Sequence, residues 1–273
     1  MTFIYYLIMA FSGLLSGATA VLFGFGGGFL MVPLLFAMNS SRYGSETLLG
    51  KESIHIAVAT STCVMIVNAC VATYKHHRKG NLLRSYIYSL ASYIGIGSMA
   101  GVALTSFAPS DVVRYGFIIY LVLTISDCLL RSGFVSPSST AEHRPLSKPQ
   151  KIIGGLSTGL IAGFLGVGGS VLTVPLLRRQ GLTMSQATAL ASPLSLPVAI
   201  VGSFSYALLD LYRPISIGPG YIGYIEITSF FVLSIGSTLG VFISSKYIGR
   251  LHDKTHAWTY LTMLIIVLAV MMV

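Results

Sequence analysis

Charge is scarce in this chain: of 273 residues 9% are Asp, Glu, Lys or Arg, against 54% hydrophobic, and the mean hydropathy is +0.80. Soluble domains carry about 25% charged and roughly 45–50% apolar residues, so a water-soluble enzyme is excluded. Disorder is excluded as well, because Leu, Ile, Val and Phe are too frequent and no long polar tract occurs. Cysteine is nearly missing. Cys63, Cys70 and Cys128 all lie in apolar stretches with no CxxC spacing, which removes a secreted disulfide framework and leaves them as small buried hydrophobes. No Lys or Arg precedes Arg42, so the first 22 residues lack the basic region of a signal peptide, although Ala18-Thr19-Ala20 resembles a cleavage box. No GxxxxGK[ST] loop is present to hydrolyse ATP, and no HExxH, and Gly24-x-Gly26-x-x runs into Phe29 rather than a third glycine with no strand before it.

What remains is a polytopic membrane protein. A helix needs about 20 apolar residues to cross a bilayer core, and that length predicts spans over Ile54–Tyr74, Tyr86–Phe107, Val112–Leu130, Ala187–Leu209, Tyr224–Tyr247 and Ala257–Val273. The net charge of +9 sits in the short loops between them, so it reads as a topology signal and not as a nucleic-acid surface. Two stretches do not fit the length rule. Phe3–Met38 is too long for one helix and is broken by Gly24-Phe-Gly-Gly-Gly28, and Lys151–Leu177 is broken likewise by Gly166-Val-Gly-Gly169.

These two stretches are copies. Shifted by 142 positions, Ser12–Leu35 lies on Gly154–Leu177 with half of the 24 positions identical, among them Gly24, Gly26, Gly27 and the Val-Pro-Leu-Leu that follows. A more weakly matched helix comes next in each copy, with Ala59-Thr60-Ser61 opposite Leu190-Ala191-Ser192. The organisation is therefore a first transmembrane repeat over 1–130, a Pro- and Ser-containing linker over 131–150, and a second repeat over 151–273. A glycine-broken first helix ending in VPLL, a serine-bearing second helix, His76-His-Arg-Lys-Gly-Asn81 after it, and the doubling of the whole resemble the TauE/SafE family. The resemblance implies a transporter of sulfite, sulfoacetate or related organosulfonates in the bacterial inner membrane. Its members differ in substrate and direction.

Charge counting bears on topology. If each broken stretch crosses once, the basic residues divide eight against nine and give no orientation. If each enters and returns, the halves are inverted, and thirteen basic residues fall on one face against Arg42, Lys51, Arg114 and Arg213 on the other. The second arrangement obeys the positive-inside rule, placing loop 75–84, the linker and loop 246–254 in the cytoplasm and both termini in the periplasm. The expected fold is all-α, two inverted repeats, each a re-entrant-like broken hairpin plus three transmembrane helices.

Backbone groups freed by a helix break must be buried in protein or line a cavity. Helix starts near Phe29 and Val171 would offer unpaired N–H groups and a partial positive charge to an oxyanion without a membrane-buried cation. The expected substrate residues are Gly24, Gly26, Gly27, Gly28, Gly166, Gly168, Gly169 and Ser170 at the breaks, with Ser61, Thr62, Asn68 and Ser192 from the second helices. Thr60 and Ser195 lie beside them, and Pro193 and Pro197 weaken the backbone ladder there. Gly13/Gly17 and Gly155/Gly159 have the spacing of close helix packing, and Ser16 is placed on that packing face. Of the ionisable residues near span ends, His55 is the coupling candidate, while Arg114, Asp127 and Glu226 read as topological. His76 and His77, beside Lys75, Arg78 and Lys79, read as an interfacial anchor. No cofactor, metal or nucleic acid is expected, only a small anion and the bilayer, and a homodimer is left open. A membrane-embedded enzyme is the competing class, and an anion channel or a proton-coupled uptake permease are competitors within transport.

Overall fold

The computed structural model describes residues 2–44, 46–130, 134, 147–212 and 218–272. The first broken stretch forms α1 (Thr2–Phe23) and α2 (Gly28–Tyr43); a single turn α3 (Leu48–Lys51) leads into α4 (Ser53–Arg78), α5 (Arg84–Phe107) and α6 (Ser110–Leu130). The second broken stretch forms α7 (Lys148–Leu165) and α8 (Ser170–Arg178), followed by α9 (Met184–Tyr212). A short ribbon of β1 (Tyr221–Ile222) and β2 (Ile225–Glu226) then precedes α10 (Ile227–Ser244) and α11 (Asp253–Met272). Seven of the described helices, α1, α4, α5, α6, α9, α10 and α11, are long and apolar enough to cross a bilayer. The chain is an all-α multi-pass membrane protein. The linker position Ser138 and Arg213 lie outside the described residues.

Local chemistry sets the helix ends. Ser147 with Gln150, and Thr183 with Gln186, form reciprocal capping boxes that satisfy orphan N–H groups at the starts of α7 and α9. α1 ends where Gly24 takes φ +72°, and α7 ends where Gly166 takes φ +65°, a left-handed conformation that side chains with a Cβ adopt only at a cost. α2 and α8 carry Pro33 and Pro175 inside the helix, beyond the first turn, so the Phe29 and Val171 carbonyls lose their i+4 amide partners.

Packing is backbone on backbone at two places. α1 lies on α10, where a Cβ on Gly13 would come 2.8 Å from the Leu233 carbonyl oxygen and one on Gly17 would overlap that of Ser237. α7 lies on α5 in the same manner, with Gly97 and Gly101 against Leu156 and Leu160, and Gly159 and Gly163 against Ile94 and Ser98. Such proximity maximises dispersion contact and needs small residues on both partners. The packing role expected for Gly13, Gly17, Gly155 and Gly159 is what they have. α4 and α9 cross at the centre and are the most enclosed spans, 72% buried each.

Contacts between helix ends fix the directions. At one end Tyr5 of α1 donates to Asn39 of α2 at 3.4 Å, His55 of α4 meets Ser110 of α6 at 3.3 Å, and Arg114 donates to the Met271 carbonyl of α11 at 3.2 Å. At the other end Lys79, just past α4, donates to the Ile248 carbonyl beyond α10 at 3.2 Å, Asp253 of α11 accepts the Met184 amide of α9 at 2.6 Å, and Arg179 pairs with Asp127 of α6. α1 and α2 thus form a hairpin open at the first end. α7 and α8 form one open at the second, with Gly154 over Leu176.

Candidate functional site

Both breaks point at the middle of the α4/α9 crossing. A Cβ on Gly26 would lie 3.1 Å from Met65 Sδ and 3.1 Å from Ser195 Oγ; one on Gly168 would lie 3.2 Å and 2.6 Å from the same two atoms. Gly28 faces the Gly166 carbonyl oxygen, which a Cβ would approach to 2.7 Å. The starts of α2 and α8 therefore meet, one from each hairpin, around Met65 of α4 and Ser195 of α9. Neither start has a side-chain cap. Their first N–H groups carry the positive ends of the two helix dipoles to one place.

Asn68 completes this centre. It is fully buried, and neither its Nδ2 nor its Oδ1 has a hydrogen-bond partner among the described residues. The amide points at the first break: a Cβ on Gly27 would overlap Asn68 Nδ2. Gly27 itself sits at φ +94°, so a side chain here is opposed twice, by backbone conformation and by space. A buried amide without partners costs roughly 1–3 kcal/mol, and such groups are uncommon in finished interiors.

The other expected residues distribute differently. Ser192 is fully buried with its hydroxyl unpartnered, on the helix that carries Ser195. Ser61 and Thr62 both bond back to the Val58 carbonyl, at 3.0 and 2.5 Å, and Thr62 packs its methyl on Gly202 of α9, away from the breaks. Thr60 accepts the Glu226 amide at 3.0 Å, which pins β2 to α4. Ser195 bonds back to Ala191, and Ser170 to Gly168 at 3.4 Å. Gly24 abuts the Thr188 carbonyl and Gly166 abuts Val58, so these outer glycines seat the breaks on α9 and α4. Gly169 faces the Thr158 methyl.

Two sequence assignments are corrected. Ser16 is not a packing residue: its hydroxyl donates to the Gly27 carbonyl at 3.0 Å, holding the first break. Thr158, 142 positions on, stands against Gly169 in the corresponding place, so the repeat alignment could have flagged both. His76 is not an interfacial anchor. It is 1% exposed and bonds the Val21 carbonyl at 2.9 Å, so the last turn of α4 lies against the end of α1. His77, one residue on, is exposed. Met65 carried no polar signal and was missed.

The mouths hold the ionisable residues. His55 is paired with Glu52 at 3.0 Å and lines a cavity of about 250 Å³ with Ser106, Ser110 and Tyr224 at the first end. Nearby, burial and then the Glu226 carboxylate push the Tyr221 phenol above the usual tyrosine range, keeping it a neutral donor. Among the described residues no group of three or more His, Cys, Asp or Glu is placed to hold a metal ion. Between the first break and the outer helices runs an aromatic stack: Phe25 lies 4.6 Å from Phe29 and 4.8 Å from Tyr260, and Phe29 6.3 Å from Phe117.

Comparison with known proteins finds probable membrane transporters. A probable membrane transporter protein of Haemophilus influenzae is 26% identical over 244 residues, 86% of this chain and 89% of the relative. Two from Bacillus subtilis are 29% and 30% identical, over 45% and 65% of this chain and 50% and 56% of their own lengths. The chain thus spans only about half the length of some of the relatives it matches. The profile of the family described as sulfite exporter TauE/SafE matches residues 9–272, and the chain belongs to that family of membrane transporters.

Proposed function

We propose that this protein is a secondary transporter that carries a small sulfur oxyanion or organosulfonate through the α4/α9 crossing, with the anion held by the amides of the two broken-helix starts. The observation that carries this reading is the Asn68 amide, buried, unpartnered and directed at Gly27 where α2 begins. Tetrahedral anions present several oxygens, so one can accept from Asn68 Nδ2 and others from the starts of α2 and α8. Ser192 adds a hydroxyl, and Ser61 adds another if it leaves its own helix. The residues at this centre are fully buried, so the arrangement corresponds to an occluded state and exchange requires the hairpins to move against α4 and α9.

Two inverted repeats are the natural frame for that motion. The reading is supported by the opposed openings of the two hairpins and by the exchanged packing in which each repeat's first helix lies on the other repeat's fourth long helix. In the inner membrane, with basic loops 75–84 and 246–254 in the cytoplasm, both termini face the periplasm. A potential negative inside contributes about 2.3 kcal/mol per charge per 100 mV and drives anions outward, so export is the favoured direction.

Counterflow in proteoliposomes tests this. Labelled sulfite and methanesulfonate are expected to exchange saturably, well ahead of acetate and of the zwitterion taurine. No exchange of either sulfur anion, or linear non-saturating flux typical of a channel, overturns the proposal.

A further inference from the structure

The end of α1 carries a second polar site that the anion reading does not use. Because α1 stops at Gly24, its last carbonyls have no amides to accept from. Two of them are instead met by histidines from different helices: His76 Nε2 of α4 lies 2.9 Å from the Val21 carbonyl, and His256 Nε2 of α11 lies 2.8 Å from the Leu22 carbonyl. A carbonyl only accepts, so both Nε2 atoms carry hydrogen, and a proton that charges either ring must add at Nδ1. His76 Nδ1 is buried and has no partner among the described residues.

The two rings line one cavity of about 10 Å³, together with Ser185, Thr188 and Tyr247, room for roughly one water. Lys79 and His256 are the charged or titratable neighbours of His76, and Asp253 and Arg178 those of His256. Lys79 is engaged with the Ile248 carbonyl, and Arg178 and Asp253 neutralise each other at 2.8 Å. Two imidazolium rings sharing this cavity would repel, so the pair holds at most one added proton. Thr188 joins the cavity to the first break, since its carbonyl lies 2.6 Å from the position of a Gly24 Cβ.

We propose that the His76–His256 pair is a proton-binding site that takes up one proton when an anion occupies the neighbouring glycine break. This rests on the transport reading above and adds its coupling ion. The linkage is reciprocal: what the anion does for the proton, the proton does for the anion. Each proton carried also removes one of the charges on which the membrane potential acts, so the outward drive described above is kept by a dianion, with one net charge left, and not by a monoanion.

The test uses methanesulfonate, which stays ionised, so any pH effect belongs to the protein. Wild-type protein in weakly buffered detergent is expected to take up about one proton per anion bound, and its affinity to fall by up to tenfold per pH unit across the pH range in which that uptake is seen. His76→Gln retains an N–H for the Val21 carbonyl but cannot titrate. It is expected to bind the anion without proton uptake and with a flat pH profile, and His256→Gln to lose part of the uptake. His77→Gln, at the exposed neighbour of His76, should keep all of it. Full uptake in both His76→Gln and His256→Gln overturns the proposal. Should His76→Gln fail to fold, nitrogen NMR of labelled histidine in the wild type reads Nδ1 directly, and a His76 signal unmoved by the anion is equally decisive. Counterflow without proton uptake by the wild type defeats this inference alone; no counterflow of any anion defeats the transport reading and this inference with it.

Discussion

Asn68 is held in a condition that costs stability, with both ends of its amide buried and unmatched. Its replacement should therefore separate stability from binding. Asn68→Leu, with the same branching and number of heavy atoms, is expected to raise the melting temperature of the anion-free protein while weakening anion affinity by tenfold or more, since a hydrogen bond to a charged group contributes about 1.5–3 kcal/mol and 1.4 kcal/mol is tenfold. Thermal melts with and without methanesulfonate check both signs, and a loss of stability together with unchanged affinity would make Asn68 a structural residue. Ser16→Ala should cost less, roughly three- to tenfold in affinity, because it releases a backbone carbonyl of the break and removes no donor to the anion. At this scale the sequence was informative where chemistry was unusual for its setting. Glycine clusters and an asparagine inside apolar helices announce themselves. Ser16 looked like one small residue among many on a packing face, and Met65 carries no polar or glycine signature; only the fold brings them to the breaks.

At the scale of elements, the pairs α1/α10 and α5/α7 are held by glycines on both members. Gly17→Leu and Gly159→Leu drive a side chain into a facing backbone carbonyl, and overpacking of this kind costs about 1–3 kcal/mol or more. Both variants are expected to lower the melting temperature by similar amounts, and a pseudo-symmetric role for the two pairs would be contradicted by a large effect in one and none in the other. Helix existence and order were readable from apolar run length, and the breaks from glycine density. α7 was readable as the first part of the broken Lys151–Leu177 stretch, and its likeness to α1 marked it as the second copy. Helix partners were not readable. Spacing of small residues marks a face for close approach but does not say which helix will fill it, and α1 finds α10 more than two hundred residues away.

For the whole molecule, Arg42, Lys51 and Arg114 lie at one end and Lys79, Arg179, Arg250 and Lys254 at the other. In a cysteine-free background, Glu46→Cys should be labelled by an impermeant reagent in intact cells and Arg250→Cys only after the membrane is opened. The reverse pattern would invert the orientation and with it the direction argument. Span order could be read from the sequence because apolar run length is local; the enclosure of the α4/α9 centre could not, since burial there depends on how four hairpin arms and two central helices close on one another. The exchanged helix pairs also set a schedule for synthesis. When α7 leaves the ribosome, α5 is already in the membrane to receive it, whereas the glycine face of α1 must wait until residues 227–244 have been made. A nascent chain halted after α9 is therefore expected to hold a bare, chaperone-binding surface on its first helix, and the membrane insertion machinery, not lipid alone, to be what shields it until α10 arrives.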